Sequence, residues 1–171
     1  MEGPTGQRMH IGLVRLADLQ RMHKILGSRF FDRNIRYGLG EGEAVNRAIS
    51  RSLKTIVLDR MEDPRVFAFN HNGITLHAER VEYADGQCRL TAPRLLNGAQ
   101  TITTTTEFLE AQKGNPALIT NAAAFEDIRV LCRIITMADQ QFVTRVTINN
   151  NRQNPVEPWN LHANDMIQLE L

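Results

Sequence analysis

Leu95-Leu96-Asn97-Gly98-Ala99-Gln100-Thr101, continued by Ile102-Thr103-Thr104-Thr105-Thr106, reads as a buried strand, a tight glycine turn and the opening of a helix. From Arg89 to Leu96 the apolar residues fall at strand spacing. Asn-Gly is a strong turn dipeptide, because both residues tolerate positive φ. Beyond it Ala99, Ile102, Thr106 and Leu109 recur at helical spacing. A glycine turn that feeds a helix N-terminus can hold a small anion or polar ligand on backbone N–H groups, and it can equally be an ordinary strand-to-helix connection.

The elements on either side extend this pattern. Towards the N-terminus, Ile74 to Tyr83 reads as one long strand, with Ile74, Leu76 and Ala78 alternating against Thr75, His77 and Glu79. Asp85-Gly86 is a hairpin signal, and Gln87 to Leu96 is the returning strand, where Pro93 marks a bulge or an edge. Asn70-His71-Asn72-Gly73 is a turn, and Val66 to Phe69 reads as a strand before it. Towards the C-terminus, the helix Ala99 to Gln112 is followed by a loop, Lys113 to Asn121. A buried strand, Ile128 to Ile135, is interrupted by Arg129 and Arg133, and a helix, Asp139 to Asn150, presents Phe142, Val143, Val146 and Asn150 on one face.

Near the N-terminus, Ile11 to Leu16 is a short strand and Ala17 to Leu26 a helix. Arg29 to Gly40 is a basic loop in which Arg29, Arg33 and Arg36 alternate with Phe30, Phe31, Ile35 and Tyr37. Such a loop can grip phosphate or stack on bases, or simply tuck its aromatics into the core. Glu43 to Met61 is a helix with Val45, Ile49, Leu53, Ile56 and Val57 on its apolar face, stopped by Glu62-Asp63-Pro64. Asn164 can cap a last helix starting near Asp165. The expected fold is α/β: a mixed sheet of about five strands with packed helices. Residues 1–28 form an N-terminal strand–helix segment and 29–171 a core domain. Both ends read as cut, as in a piece of a longer protein.

Composition sets the limits on function. Of the 171 residues, 42% are hydrophobic and 23% charged, and the net charge is +1, so no global field points to nucleic acid. Cys88 and Cys132 lack metal spacing and fit a reduced, cytoplasmic protein. No apolar run approaches a membrane span, and no secretory signal precedes Ile11. Nucleophile motifs, a P-loop and His-Glu-x-x-His are all missing from the sequence. No metal-ligating set accompanies Asn70-His71-Asn72, no cofactor is indicated, and catalytic residues stay unassigned.

Amides and small hydroxyls gather instead at three turns: Asn70, Asn72, Gly73 and Thr75; Asn97, Gly98, Gln100 and Thr101; and Asn151, Arg152, Gln153 and Asn154. Amides donate and accept without charge, which suits a base edge, a ribose or a peptide backbone better than acid–base chemistry. The same groups could serve only to tie the turns together. The turns are expected to converge at one end of the sheet.

The same stretches carry a family resemblance. Phe69-Asn70-His71-Asn72-Gly73-Ile74-Thr75, Leu96-Asn97-Gly98-Ala99-Gln100-Thr101 and Asn151-Arg152-Gln153-Asn154-Pro155-Val156 resemble signature blocks of the AIPR family, the abortive infection phage resistance proteins of bacteria. Asn34-Ile35-Arg36 with Leu39-Gly40, Val45-Asn46 and Ile49 is similar to its first block. Leu161, Ala163-Asn164-Asp165 and Gln168 are similar to its last. His71 stands where the family pattern usually has Asn. The resemblance implies a role in phage defence, often encoded beside restriction–modification genes, but no established reaction. The layout from Asn97-Gly98 to Asn151-Arg152 is also similar to the ParB/sulfiredoxin-like fold, whose corresponding turn binds nucleotide phosphates through an arginine. Thr101 stands at that arginine's place, so Gly98 to Thr101 backbone donors, with charge from Arg94, Arg133 or Arg152, would have to act there. The functional expectation is a phage-defence domain that binds a nucleotide or nucleic-acid signal and has restriction–modification proteins as partners. The alternatives are a nucleotide hydrolase or nuclease using a carboxylate such as Asp139 or Glu126, and a purely structural scaffold.

Overall fold

The structure, a computed structural model, describes residues 1–32 and 43–152, with residues 151 and 152 as backbone alone. A four-stranded mixed sheet runs through it in the order β1-β6-β2-β5, from β1 (Arg8–Arg15), β2 (Ile74–His77), β5 (Arg94–Asn97) and β6 (Arg129–Thr136). β6 pairs antiparallel with β1 and parallel with β2, and β2 pairs antiparallel with β5. A separate two-stranded ladder joins β3 (Arg80–Ala84) to β4 (Gln87–Thr91). The helices are α1 (Leu16–Leu26), α2 (Glu43–Leu53), α3 (Phe67–Asn70), α4 (Ala99–Ala111), α5 (Pro116–Thr120), α6 (Ala122–Glu126) and α7 (Gln140–Arg152). The chain is thus an α/β protein with a mixed sheet, as the sequence pattern predicts.

Alternation along β6 explains the layering. Val130, Cys132 and Ile134 face a main core that also takes Leu16 and Leu19 of α1, Ile49 and Leu53 of α2 and Ile102 and Phe108 of α4. Arg133 and Ile135 face the other way, where α7 lays Val143, Phe142 and Val146 over Ile135 and Leu96. β2 is central and every one of its residues is buried, as expected of a strand covered on both faces.

The single hairpin expected from Ile74 to Leu96 is instead two ladders joined at a bend. Pro93 has no N–H to continue a ladder, and Ala92 before it takes a left-handed φ of 47°. On the opposite arm Ala78 N–H turns aside to the Ile135 carbonyl (3.0 Å), and Glu79 N–H bonds Thr91 O (3.0 Å) to carry the hairpin past the bend. A register shift between Thr75 and Leu76 adds a bulge. The Asp85-Gly86 tip is left-handed at both residues, as a tight hairpin requires.

Two further expectations need correction. Val66 to Phe69 is helical rather than a strand: a 3₁₀ turn, Pro64–Val66, runs straight into α3. Asp63 accepts from Arg65 N–H (2.8 Å) and Pro64 occupies the first helical position, an N-terminal signature that outweighs the β-prone Val-Phe-Ala-Phe composition. Within the expected loop Lys113 to Asn121, α5 forms because Asn115 Oδ1 accepts from Ala117 N–H (2.9 Å) and Pro116 follows the cap. Asn115→Ala is expected to cost about 1 kcal/mol of stability, the usual worth of such a cap, measurable by urea unfolding. The helix expected over Glu43 to Met61 continues past α2 as a π-helical turn, Lys54–Leu58, that keeps Ile56 and Val57 buried, whereas Val45 is exposed. Phe30 and Phe31 of the basic loop are core residues. The rest of that loop from Arg33, and the helix expected near Asp165, lie outside the described residues.

Candidate functional site

Two of the three amide-rich turns meet at the end of the sheet where β2 begins and β5 ends. Gly73 stands at φ 83° so close to β6 that a Cβ there would lie 2.9 Å from the Leu131 carbonyl oxygen. Gly98 stands at φ 103°, and a Cβ on it would lie 2.8 Å from Ile74 Cγ1. Glycine at both positions lets the two turns close on the sheet. His71 locks them together. Its Nδ1 accepts from Gly73 N–H (3.0 Å), so its proton resides on Nε2 and is donated to Thr101 Oγ1 at the start of α4. The ring stacks on Phe67, with centroids 5.4 Å apart. Burial holds the imidazole well below its ordinary range, at about 4. Thr101→Val removes the only oxygen that the Nε2–H is bonded to here; it is expected to cost about 1–3 kcal/mol, read by denaturant unfolding.

Around this lock the polar residues differ in their duties. Asn97 Oδ1 accepts from Gly98 N–H (2.9 Å), which shapes the turn. Gln100 is half-buried, Thr101 is buried, and Asn70 and Asn72 are exposed on the rim. Gly98 caps α4 through its backbone, and no acidic side chain occupies that helix's first turn, so the positive end of the helix dipole is not offset by a local carboxylate.

Thr75 sits one step into the sheet, opposite Asn97 on β5 and Arg133 on β6. It is 1% exposed, and its hydroxyl has no hydrogen-bond partner among the described residues. α7 runs back over this face until Asn150 Oδ1 accepts from Arg133 Nη2 (3.4 Å). The third cluster therefore begins beside the row Asn97–Thr75–Arg133. The side chains of Asn151 and Arg152, and all of Gln153 and Asn154, lie outside the described residues. Of the arginines considered as charge donors, Arg94 is opposite His77, at the far end of β2 from the glycine turns, and is directed to Asp32 (3.9 Å). Arg133 lies level with Thr75.

Arg133, Asn150 and His71 gain their importance from packing. Arg133 was visible as a charge in an apolar strand and Asn150 as an amide on an apolar face; neither spacing connects them. The carboxylates considered for catalysis have structural partners: Asp139 Oδ1 accepts from Phe142 N–H (2.7 Å) at the start of α7, and Glu126 is paired with Arg21. Among the described residues no group of three or more His, Cys, Asp or Glu is placed to hold a metal ion, and no helix is long and apolar enough to cross a membrane.

No curated protein and no solved structure matches the chain. The family model described as AIPR protein matches residues 31–171, which takes in both glycine turns, the His71 lock, α7 and the amide cluster that follows it. By that match the chain belongs to the AIPR family, and its family points to a phage-defence, abortive-infection domain.

Proposed function

We propose that this domain is the recognition part of a phage-defence system and binds a nucleotide or nucleic-acid signal at the end of the sheet where the glycine turns meet. The observation that carries this reading is the pairing of the two turns through His71 and Thr101. It brings the exposed amides Asn70 and Asn72 to the same end as the opening of α4, whose first turn carries no acidic side chain. Backbone N–H groups at a helix start suit a phosphate, and amides suit a base edge or ribose. Restriction–modification proteins are the partners that the family's setting suggests, and they would act on the signal this domain reads.

The test is phage plating on bacteria that express the gene encoding this chain, wild type against Asn72→Ala and Gln100→Ala. Loss of protection with the variants still folded supports recognition at the turns. Retained protection by both contradicts it.

A scaffold role is the second reading, favoured by the bonds that Asn97 and His71 spend on their own turns. It predicts that Asn97→Ala acts on stability, by about 1–3 kcal/mol for a lost buried partner, with protection falling only in step with the folded fraction.

A further inference from the structure

Between α7 and the sheet lies a cavity of about 230 Å³, lined by Thr75, Arg133 and Asn150 on its polar side and by Ile135, Phe142 and Val146 among its apolar walls. We propose that this cavity binds a small amphipathic oxyanion, a carboxylate or phosphate carried on a single-ring apolar body, with Arg133 and Thr75 holding the head.

Three features select that chemistry. First, the polar groups present donors. The Arg133 guanidinium has only N–H groups, makes no ion pair among the described residues, and has one long bond, to Asn150 Oδ1 (3.4 Å). That bond occupies the Asn150 oxygen and leaves its amide N–H groups as the free function. The Thr75 hydroxyl is 1% exposed and unpartnered among the described residues, a costly state that an acceptor in the cavity relieves. Second, no carboxylate is among the residues that line the cavity, so an anion meets no like charge. Third, most of the wall is apolar, which a hydrated ion alone would leave unused. At about 30 Å³ of liquid volume per water, the space suits a ring with one head group and is small for a whole nucleotide. The ligand is therefore distinct from the signal proposed for the turns, and the inference stands without that reading.

The probes are phenyl phosphate, benzoate, benzyl alcohol and inorganic phosphate, titrated into the purified protein and followed by ligand-observed and amide NMR. One or both of the aromatic anions should bind about tenfold or more tightly than benzyl alcohol and inorganic phosphate, since a charge-assisted bond to arginine is lost in the first and the apolar body in the second. Preference for phenyl phosphate assigns the head as phosphate, and preference for benzoate as carboxylate. Arg133→Met should weaken the preferred anion about tenfold or more. Thr75→Val should also weaken it while raising the thermal midpoint of the ligand-free protein, because the unpartnered hydroxyl is gone. A merely structural threonine would not give that opposed pair of changes. Equal, weak response to all four probes, or unchanged affinity in folded Arg133→Met, overturns the proposal.

Discussion

Gly73→Ala is expected to destabilise the domain by about 2–5 kcal/mol, enough to unfold much of a protein of ordinary stability. Two costs add. At φ 83° an alanine is held in a left-handed conformation, worth about 1–2 kcal/mol. Its Cβ would also stand 2.9 Å from the Leu131 carbonyl oxygen, and a backbone atom in a central strand cannot withdraw as a side-chain end can; overpacking of this kind costs about 1–3 kcal/mol. Gly98→Ala should fall in the same range, because φ is 103° and the crowded atom, Ile74 Cγ1, belongs to a fully buried side chain. Gly86→Ala is the control. Its φ is 70° but nothing lies within 4 Å of a Cβ there, so only the conformational cost of about 1–2 kcal/mol applies. Urea unfolding of the three variants separates the cost of the turn from the cost of close approach. Equal losses in all three would show that the glycine turns are not pressed against the sheet.

The second large effect is a dependence on pH that centres on His71. Its imidazole titrates at about 4 in the folded protein, below the 6.5 of a free histidine, because burial disfavours the cation. The unfolded chain therefore takes up the proton first. Stability is fully present above pH 6.5, declines as the pH falls through the interval down to about 4, and levels off below it. Integrated over that interval, the loss is about 3 kcal/mol at most. Protonating Nδ1 would also turn the acceptor of Gly73 N–H into a donor, so the lock between the two turns fails along with the charge balance. In His71→Asn, the residue usual at this place in the family pattern, the slope of stability between pH 6.5 and 4 should flatten while stability at pH 8 changes less. Unfolding midpoints across that range check it, and an unchanged slope in the variant assigns the acid sensitivity elsewhere. Asp63, whose carboxylate the neighbouring Arg65 holds well below its usual range, is exposed and titrates below this window.

The sequence carried the turns more clearly than the site. The switch from strand to helical spacing across Asn97-Gly98 is local, and the structure places β5, the left-handed glycine and α4 along it in turn. Alternation in β6 likewise shows which residues face the core. The bend in the hairpin was only half visible. Pro93 announced a break on one arm, but the matching break after His77 depends on Ala78 bonding to Ile135, a residue 57 positions later in the chain. Val66 to Phe69 misled through its composition, although Asp63-Pro64 ahead of it carried a helix-start signal. The candidate cavity has no sequence signature, because Thr75, Arg133 and Asn150 come from β2, β6 and α7 and meet only through a parallel pairing and a helix that folds back. His71 read as a departure from an amide pattern, whereas its two ring nitrogens supply both bonds that join the turns.

The most direct test of recognition at the turns is isothermal titration of the purified protein with ATP, CTP, GTP, UTP and a short single-stranded oligonucleotide, with and without Mg²⁺. It should be run on the wild type and on Asn72→Ala and Gln100→Ala, since Gly98 variants would confound binding with unfolding. The account predicts saturable heat with at least one of these ligands, lost or sharply weakened in the folded variants. Absence of binding across the panel, or equal affinity in wild type and variants, would contradict it.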